Sequence, residues 1–198
     1  NKKIKLLDVG CGKGGFLKFI KNINSAIELY GIDITNNSFP GINFIKGNFL
    51  ESDIKVKFDV VCCLAVIEHV EDPQLFTKKL YDLLIPGGIL VIMTDNADSL
   101  IYRISRILKK ARIYSPYYRL YDYHHLHHFT NQSLKILLKK RGLDIILQKN
   151  HNFNIAAVDL PQNNFVIKKL QLLAVCITFL VSTVFMNGML QTVICKKN

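Results

Sequence analysis

The sequence predicts an α/β protein with a doubly wound, mostly parallel sheet and helices on both of its faces. Apolar segments typical of strands alternate with segments of helical spacing, which indicates parallel strands joined by right-handed crossovers. A glycine-rich turn at residues 10–15 joins the first strand to the first helix. A chain of 198 residues is long enough for one sizeable core, so we expect a single domain over residues 1–198.

The apolar and turn patterns place the elements in order along the chain. Strands are predicted near residues 4–9, 27–33, 42–46, 58–64, 88–94, 143–149 and 189–196. Helices are predicted near residues 14–23, 73–84, 99–112, 131–141 and 166–186. The connection at residues 34–41 is short and rich in Asn, Pro and Gly, so we expect an abbreviated crossover there.

Start and stop signals support two of these helices. Pro73 directly after Asp72 suits the first turn of a helix. Residues 86–88, Pro-Gly-Gly, predict that this helix ends before the fifth strand begins. Thr130 is predicted to be the N-cap of the late helix.

The turn after the first strand fits two binding motifs. Gly10, Gly12 and Gly15 match the dinucleotide-binding spacing G-x-G-x-x-G, which is weak evidence by itself. Gly14 in place of Gly15, with Asp8 in front, matches D-x-G-x-G-x-G instead. An anion at the end of the strand would repel a pyrophosphate but suits a ligand that carries positive charge. The acid therefore favours a cationic ligand over NAD.

With these residues the chain resembles the class I S-adenosylmethionine (SAM) methyltransferases. The matching motifs follow in the family's order: residues 8–14, Gly31-Ile32-Asp33, Gly47-Asn48-Phe49, Phe58-Asp59-Val60-Val61, Ile67-Glu68-His69-Val70, residues 84–88 and His125-Leu126-His127-His128-Phe129-Thr130. The last is similar to the H-x-x-H-F-[ST] element of a small-molecule subgroup. The resemblance implies a Rossmann-like sheet with an antiparallel last strand, and SAM as cofactor with S-adenosylhomocysteine (SAH) as product. The family's usual N-terminal helices are expected to be missing, because Asn1 lies almost on the first strand.

The resemblance also implies which residues touch the cofactor. They are Asp8, Gly10, Cys11, Gly12, Gly14, Asp33, Ile34, Asn48, Phe49 and Leu64. Asp8 is expected near the SAM ammonium and Asp33 at the ribose hydroxyls. Asn48 is expected at the adenine, in place of the family's usual acid. Purely structural roles stay open: Asp8 can cap a turn, Asp33 can cap a helix, and Asn48 can simply lie in a loop.

Glu68, His69 and His125 are the catalytic candidates. His69 follows the fourth strand at the sheet edge where open α/β folds bind ligands, so it leads as the base for an acceptor hydroxyl. Glu68 is expected to orient the acceptor and His125 to border its pocket, while helix capping by Glu68 and His69 fits equally well. Membrane-associated quinone O-methyltransferases are similar here but carry Glu where Ala65 stands, which argues against metal assistance. The histidines near residue 125 match no zinc spacing, so no metal is expected.

Charge and hydropathy indicate the partners and the cellular compartment expected for the protein. The net charge of +11 suits an anionic partner, and residues 103–112 form an amphipathic basic helix, although a solvated face explains it too. The tyrosine-rich residues 97–130 form a candidate acceptor lid, with packing under a loop as the alternative. Residues 170–195 carry no charge, and helix 166–186 is predicted to pack on the domain or lie at a membrane surface rather than span it. Five cysteines without a C-x-x-C pattern predict reduced, buried thiols in a cytoplasmic protein.

Together these features predict a SAM-dependent methyltransferase that acts on a small molecule or on a lipid- or glycan-linked acceptor, at oxygen. Residues 64–67 lack the Asn/Asp-Pro-Pro-Tyr element of base-methylating enzymes, so nucleic acid is not the expected partner. An RNA methyltransferase and a non-catalytic SAM-binding regulatory module remain as alternatives, and an NAD-dependent oxidoreductase is least favoured. We expect a cytoplasmic protein with peripheral contact to the inner face of the membrane.

Overall fold

A computed structural model describes residues 3–37, 39–158 and 164–198. Seven strands form one sheet: β1 Lys5–Val9, β2 Glu28–Asp33, β3 Asn43–Lys46, β4 Phe58–Leu64, β5 Leu84–Asp95, β6 Leu143–His151 and β7 Leu190–Lys197. The helices are α1 Gly15–Ile23, α2 Pro73–Leu83, α3 Leu100–Lys110, α4 Ser115–Leu120, α5 Asn131–Lys139 and α6 Phe165–Val184. Short 3₁₀ turns lie at Ile67–His69 and Ile155–Ala157.

The order of strands in the sheet is β3-β2-β1-β4-β5-β7-β6. The first five strands pair in parallel, and β7 runs antiparallel to both β5 and β6. The predicted Rossmann-like fold with an antiparallel last strand is therefore confirmed. The strands are added outward from β1 in one direction through β2 and β3, and in the other direction through β4 and β5. Open α/β sheets bind ligands outside the carboxyl ends of their strands at such a switch point, which here lies between β1 and β4.

Helices cover both faces of the sheet because successive strand side chains point to opposite sides. Leu6 packs into a cluster with Leu17 of α1, while its neighbour Leu7 packs into a larger cluster with Phe76 of α2 and Leu134 of α5. Burying apolar surface at roughly 25 cal/mol per Å² on both faces stabilises the central strands. The carboxyl ends of β1, β2 and β4 are thereby held at one edge.

The starts of α2 and α5 agree with the predicted capping residues. The Asp72 carboxylate accepts hydrogen bonds from the amides of Gln74 and Leu75, and Thr130 forms a capping box with Ser133. In the described part of residues 34–41 no helix forms, as expected, and Ser38 lies outside the described residues. Helix α2 ends at Leu83, before the fifth strand as predicted. That strand begins earlier than predicted, at Leu84 rather than near residue 88, and a register shift in its pairing with β4 accommodates Pro-Gly-Gly within the strand.

Two further features differ from the expectations. The short helix α4 falls within the predicted lid, where a proline near its start suits the first helical turn. The thiols of Cys11, Cys62, Cys63 and Cys195 are buried as predicted, whereas Cys176 on α6 is exposed.

Helix α6 is long and apolar enough to cross a membrane by length and composition, yet only 11% of its most apolar window is buried. It packs beside α3 and leaves a row of large apolar side chains exposed: Phe165, Val166, Ile167, Leu170, Leu173, Ile177, Leu180 and Val184. The strands on either side of it pair with each other, with His151 opposite Leu190. A single crossing would carry these strands to opposite sides of a bilayer, so their pairing argues against a span by this helix.

Candidate active site

The glycine turn is held in a shape that other residues adopt only with strain. Gly10, Gly12 and Gly14 all have positive φ, at 71°, 50° and 68°. A side chain at Gly10 would collide with Val66, and one at Gly14 would meet the Phe39 ring. At Gly12, by contrast, no atom of the described residues lies within 4 Å of where a Cβ would stand. Gly12 is thus the point of the turn that offers bare backbone to a ligand.

Two carboxylates stand beside this turn at the ends of adjacent strands. Asp8 of β1 is 3% exposed, and no hydrogen bond reaches its carboxylate from the described residues. Burial, and then the charge of Asp33, raise the pKa of Asp8 from 3.8 to about 7. A positive charge placed beside this carboxyl would favour its ionised form, and its predicted place near the SAM ammonium stays a prediction.

Asp33 is already engaged with the turn. One of its oxygens accepts a hydrogen bond from the Gly12 amide at 2.8 Å, and the other accepts from the amide and hydroxyl of Thr35 at 2.8 and 2.6 Å. Burial acts to raise the pKa of Asp33, but the hydrogen bonds from Thr35 and Gly12 outweigh it and lower the pKa below its ordinary value. Asp33 thus shapes the glycine turn as an ionised group; its predicted ribose contact stays a prediction.

The remaining cofactor candidates differ in how they face the edge. The Cys11 side chain packs inward against Leu17 and beneath Gly31, so this residue can offer only its backbone to a ligand. Ile34 is 73% exposed just past β2, and Leu64 ends β4 half-buried.

The side chains of the two predicted adenine contacts already have partners within the protein. Phe49 is buried against Phe76 with ring centroids 5.2 Å apart. The Asn48 amide accepts from the Leu50 amide at 3.0 Å and donates to Glu51 at 2.9 Å, which is the loop role left open above. Roles for Asn48 and Phe49 at the adenine remain predictions.

The catalytic candidates meet on the other side of the glycine turn. The Val66 side chain lies against Gly10, which brings the 3₁₀ turn Ile67–His69 next to it. Glu68 is buried and accepts a hydrogen bond from the Thr94 hydroxyl at 2.9 Å; burial raises its pKa. The ring Nδ1 of His69 lies 2.8 Å from the His124 carbonyl. Because a carbonyl can only accept, Nδ1 carries the proton and Nε2 is left as the base.

His125 joins this group from a distant part of the chain. Its ring packs edge-on against His69, with centroids 4.7 Å apart. Its Nδ1 lies 2.9 Å from an oxygen of the buried Asp95 at the end of β5. The Tyr102 hydroxyl donates to the same oxygen at 2.9 Å, and burial followed by the Asp95 charge raises the pKa of Tyr102. Asp95 and Tyr102 were missed by sequence reasoning, although an acid at a strand end is the signal that could have found Asp95.

The predicted lid, residues 97–130, is anchored over the strand ends. The Ala97 amide donates to the Phe129 carbonyl, and the His127 amide donates to the Glu68 carbonyl. Several of its tyrosines pack on one another, with Tyr117 and Tyr121 stacked at 4.3 Å, whereas Tyr123 is 83% exposed. Packing thus accounts for part of the tyrosine cluster, and the lid role stays a prediction.

An apolar cavity of about 680 Å³ lies between α3, α4 and α6. Its walls include Ile101, Ile104, Leu108, Val175 and Phe179. Leu120 also lines it, and the Leu120 carbonyl lies 3.0 Å from the Tyr102 hydroxyl. Leu120 therefore stands between the cavity and the Tyr102 hydroxyl, and no pattern in the sequence predicted the cavity.

Comparison with known proteins identifies the family. A family model described as "Methyltransferase domain" matches residues 1–148, which is most of the chain. The chain belongs to this methyltransferase family. SAM is the cofactor of such domains, and the open backbone at Gly12 with Asp8 and Asp33 beside it fits that ligand. The predicted class I SAM-dependent methyltransferase domain and its cofactor are confirmed.

Sequence relatives include the ubiquinone biosynthesis O-methyltransferase of Rickettsia typhi, which is 31% identical over 167 residues, covering 75% of this chain and 66% of the relative. The mitochondrial ubiquinone biosynthesis O-methyltransferase of Dictyostelium discoideum is 29% identical over 133 residues, covering 56% of this chain and 41% of the relative. The chain thus spans 66% or less of the length of these relatives.

Solved methyltransferases share the fold at low sequence identity. A SAM-dependent methyltransferase from Archaeoglobus fulgidus superposes with a TM-score of 0.64 at 22% identity, covering 98% of this chain and 86% of that one. Phosphoethanolamine N-methyltransferase 2 of Haemonchus contortus, solved with SAM, gives a TM-score of 0.63 at 15% identity, covering 100% of this chain and 49% of that one. These likenesses establish the fold of the family member. The H-x-x-H-F-[ST] subgroup remains a prediction.

Proposed function

We propose that this protein transfers the methyl group of SAM to an oxygen of a small-molecule acceptor, as the names of its sequence relatives suggest for those proteins. The observation that carries the proposal is His69, whose Nδ1 is committed to the His124 carbonyl and whose Nε2 is left as a base. His69 ends the 3₁₀ turn that follows Val66, the residue that lies against Gly10. When bound, SAM supplies a methyl group that its positive sulfur has already activated.

The residues around the turn would hold the donor. Asp8, with its raised pKa, would ionise beside the ammonium of the bound amino acid moiety. Asp33 would fix the Gly12 amide and share its remaining lone pairs with the ribose hydroxyls. With donor and acceptor held together, proximity and orientation supply most of the rate increase.

The acceptor side needs a base when the attacking group is a hydroxyl. His69 Nε2 would take the proton of the attacking hydroxyl, and bound SAM would supply the methyl carbon to its oxygen and leave as SAH. Glu68 and His125 would border the acceptor, with the His125 ring packed edge-on against His69. The buried Glu68 contacts Thr94, so its part is to shape the pocket through this hydrogen bond.

Substitution of His69 tests this role. His69→Gln is expected to lower kcat by about 10²-fold or more while SAH affinity stays unchanged, because general-base catalysis contributes on that scale. The matched control is His124→Gln, since His124 acts on His69 through its backbone carbonyl, which the substitution keeps. Transfer of radiolabelled methyl from SAM to phenolic acceptors gives the readout. Unchanged kcat in His69→Gln would remove it as the base, and SAH binding without turnover on any acceptor would favour a regulatory module.

We further infer that the acceptor carries an apolar tail or a lipid carrier. The apolar cavity beside Tyr102 is large enough for an aliphatic chain, and the exposed apolar face of α6 lies beside it. Arg103, Lys109 and Lys110 of α3, with Lys168 and Lys169 at the start of α6, suit the anionic inner surface of a membrane. A glycan-linked acceptor would instead need the aromatic lid.

Acceptors with and without an aliphatic chain test the tail. The chain is expected to raise kcat/KM in the wild type, and Ile104→Gln, in the cavity wall, should remove that advantage. The control is Ile107→Gln, because Ile107 lies on the same helix, is 65% exposed and does not line the cavity. An equal preference in all three proteins would contradict the tail site.

Vesicle flotation tests the membrane contact separately. The protein should float with vesicles of phosphatidylglycerol and phosphatidylcholine. Leu173→Gln combined with Leu180→Gln on α6 should abolish flotation, because these exposed side chains would no longer insert their apolar surface into the membrane interface. Ile136→Gln on α5 removes a comparably exposed apolar side chain and should float normally. Steeply salt-dependent binding to RNA without flotation would instead favour an RNA acceptor.

A further inference from the structure

A group of ligand-type side chains lies behind the proposed acceptor site. Asp95, His125 and His128 each place one donor atom within 4.8 Å of the other two. Asp95 comes from the end of β5, and the histidines come from the segment between α4 and α5, some thirty positions later. Their meeting depends on the loop being drawn back over the sheet edge.

Each of the two histidines has one buried ring nitrogen without a hydrogen-bond partner among the described residues. Nδ1 of His125 and Nδ1 of His128 are both buried and receive no hydrogen bond from the described residues. His125 Nδ1 lies 2.9 Å from the Asp95 carboxylate, but that oxygen is off the direction in which a ring N–H points. Buried polar nitrogens without partners are rare in folded proteins, so a missing partner is the expected explanation.

The separation of His125 Nδ1 from the Asp95 carboxylate is compatible with a shared metal ion. Ligands at zinc distances of about 2.0–2.1 Å lie about 3 Å apart at right angles and about 3.3 Å apart in a tetrahedron. The His125–Asp95 separation of 2.9 Å is close to that range. The Asp95 carboxylate is also held from behind by the Tyr102 hydroxyl, as metal-binding carboxylates commonly are.

The local charge also favours a cation. Glu68 and Asp95 are two buried carboxylates in the same neighbourhood. The Arg106 guanidinium donates to the Ala97 carbonyl and the Tyr121 hydroxyl. A divalent ion would neutralise the charge of these two carboxylates.

We propose that Asp95, His125 and His128 bind a divalent transition-metal ion of the Zn²⁺ class through one carboxylate oxygen and two imidazole nitrogens. Two nitrogens and one oxygen form a donor set that borderline-soft ions prefer. The ion ties the residues 97–130 segment to the end of β5, so it organises the wall of the acceptor site. Three protein ligands leave a coordination position for a water or an acceptor oxygen. No metal was predicted from the sequence, because the histidine spacing by itself matches no zinc pattern. Asp95 lies about thirty positions before these histidines, so their spacing could not reveal it as a ligand.

A second donor set, Glu68, His69 and His125, competes for the same ion. The Asp95 set is favoured because it accounts for two buried imidazole nitrogens without a hydrogen-bond partner among the described residues, those of His125 and His128, whereas the other set accounts only for that of His125. His69 and His128 are therefore the positions that separate the two sets.

Metal binding to the tag-free protein tests the proposal. After treatment with a chelator, the protein is titrated with Zn²⁺ by calorimetry, and bound metal is counted by mass spectrometry after dialysis. One Zn²⁺ per chain is expected, and Zn²⁺ should raise the Tm because it binds only the folded state. Co²⁺ should give visible absorption bands from nitrogen and oxygen ligands. His128→Ala should weaken Zn²⁺ binding at least about tenfold and remove the Tm increase.

Two controls make the outcome decisive. His124→Ala removes an imidazole of the same loop outside the donor set, and it should bind Zn²⁺ like the wild type. His69→Ala should also keep the metal, whereas its loss there with retention in His128→Ala would overturn the assignment. Equal binding by wild type and His128→Ala, or no bound metal in the wild type, also overturns it. None of these readouts depends on methyl transfer, so the metal site and the proposed function fail separately.

Discussion

Removal of the buried charge at Asp8 should stabilise the ligand-free protein and weaken its binding of the cofactor. The Asp8 carboxyl has its pKa raised from 3.8 to about 7 by burial and by Asp33. Between these two pH values the unfolded chain releases a proton that the folded protein retains, so stability falls as pH rises. Above pH 7 both states are ionised and the penalty is constant.

The size of the effect follows from the shift. At 1.36 kcal/mol per unit, the 3.2-unit difference between 3.8 and about 7 costs about 4 kcal/mol at pH 8. At pH 5 the pH lies only slightly more than one unit above 3.8, which costs about 2 kcal/mol. Asp8→Asn removes the titration, so its stability relative to wild type should rise by roughly 2–3 kcal/mol between pH 5 and pH 8. Differences in packing between Asp and Asn are the same at both pH values and cancel.

Urea unfolding at pH 5 and pH 8 measures this difference, and calorimetry with SAH measures binding. Asp8→Asn is expected to bind SAH at least about tenfold more weakly, because a hydrogen bond to a charged group contributes about 1.5–3 kcal/mol. Wild-type affinity should fall by up to about tenfold per pH unit below 7, since protonation of Asp8 competes with the ammonium. Asp53→Asn is the control, because Asp53 is an exposed acid paired with Lys55. A relative stability that does not change with pH, or SAH binding that survives in Asp8→Asn, would refute the reasoning.

Two further substitutions test the surroundings of the site. Gly12→Ala should cost about 1–2 kcal/mol of stability because φ is positive, and it should weaken SAH binding because the methyl enters the open space at the turn. Gly15→Ala, at an unstrained position, is the control and should change neither quantity. A large loss of SAH affinity in Gly15→Ala would instead support the dinucleotide spacing. Tyr102→Phe should destabilise the protein by about 1–3 kcal/mol in urea unfolding because Asp95 loses a buried donor. Tyr118→Phe, at a 63% exposed ring, is its control, and equal stabilities would show that Asp95 does not depend on Tyr102.

Local signals determined most of the elements and the first half of the site. The alternation of strands and helices, the Asp72 and Thr130 caps, and the glycine turn with Asp8 in front all depend on residues within one or two turns of chain. Such periodicity and turn chemistry act over a few residues and do not need the rest of the fold. The antiparallel last strand came from the family resemblance, and the sheet has it.

Tertiary structure alone decided which distant groups share a site. Residues 86–88 look like a helix stop, yet pairing with β4 and a register shift draw them into β5. Asp95 meets His125 and His128 only because β5 ends at the sheet edge over which the loop returns. The exposure of α6 and the cavity beside it likewise follow from the packing of α3, α4 and α6. Hydropathy records whether a segment can be buried, but the neighbours that bury it are set by strand order and crossover length, which no local pattern specifies.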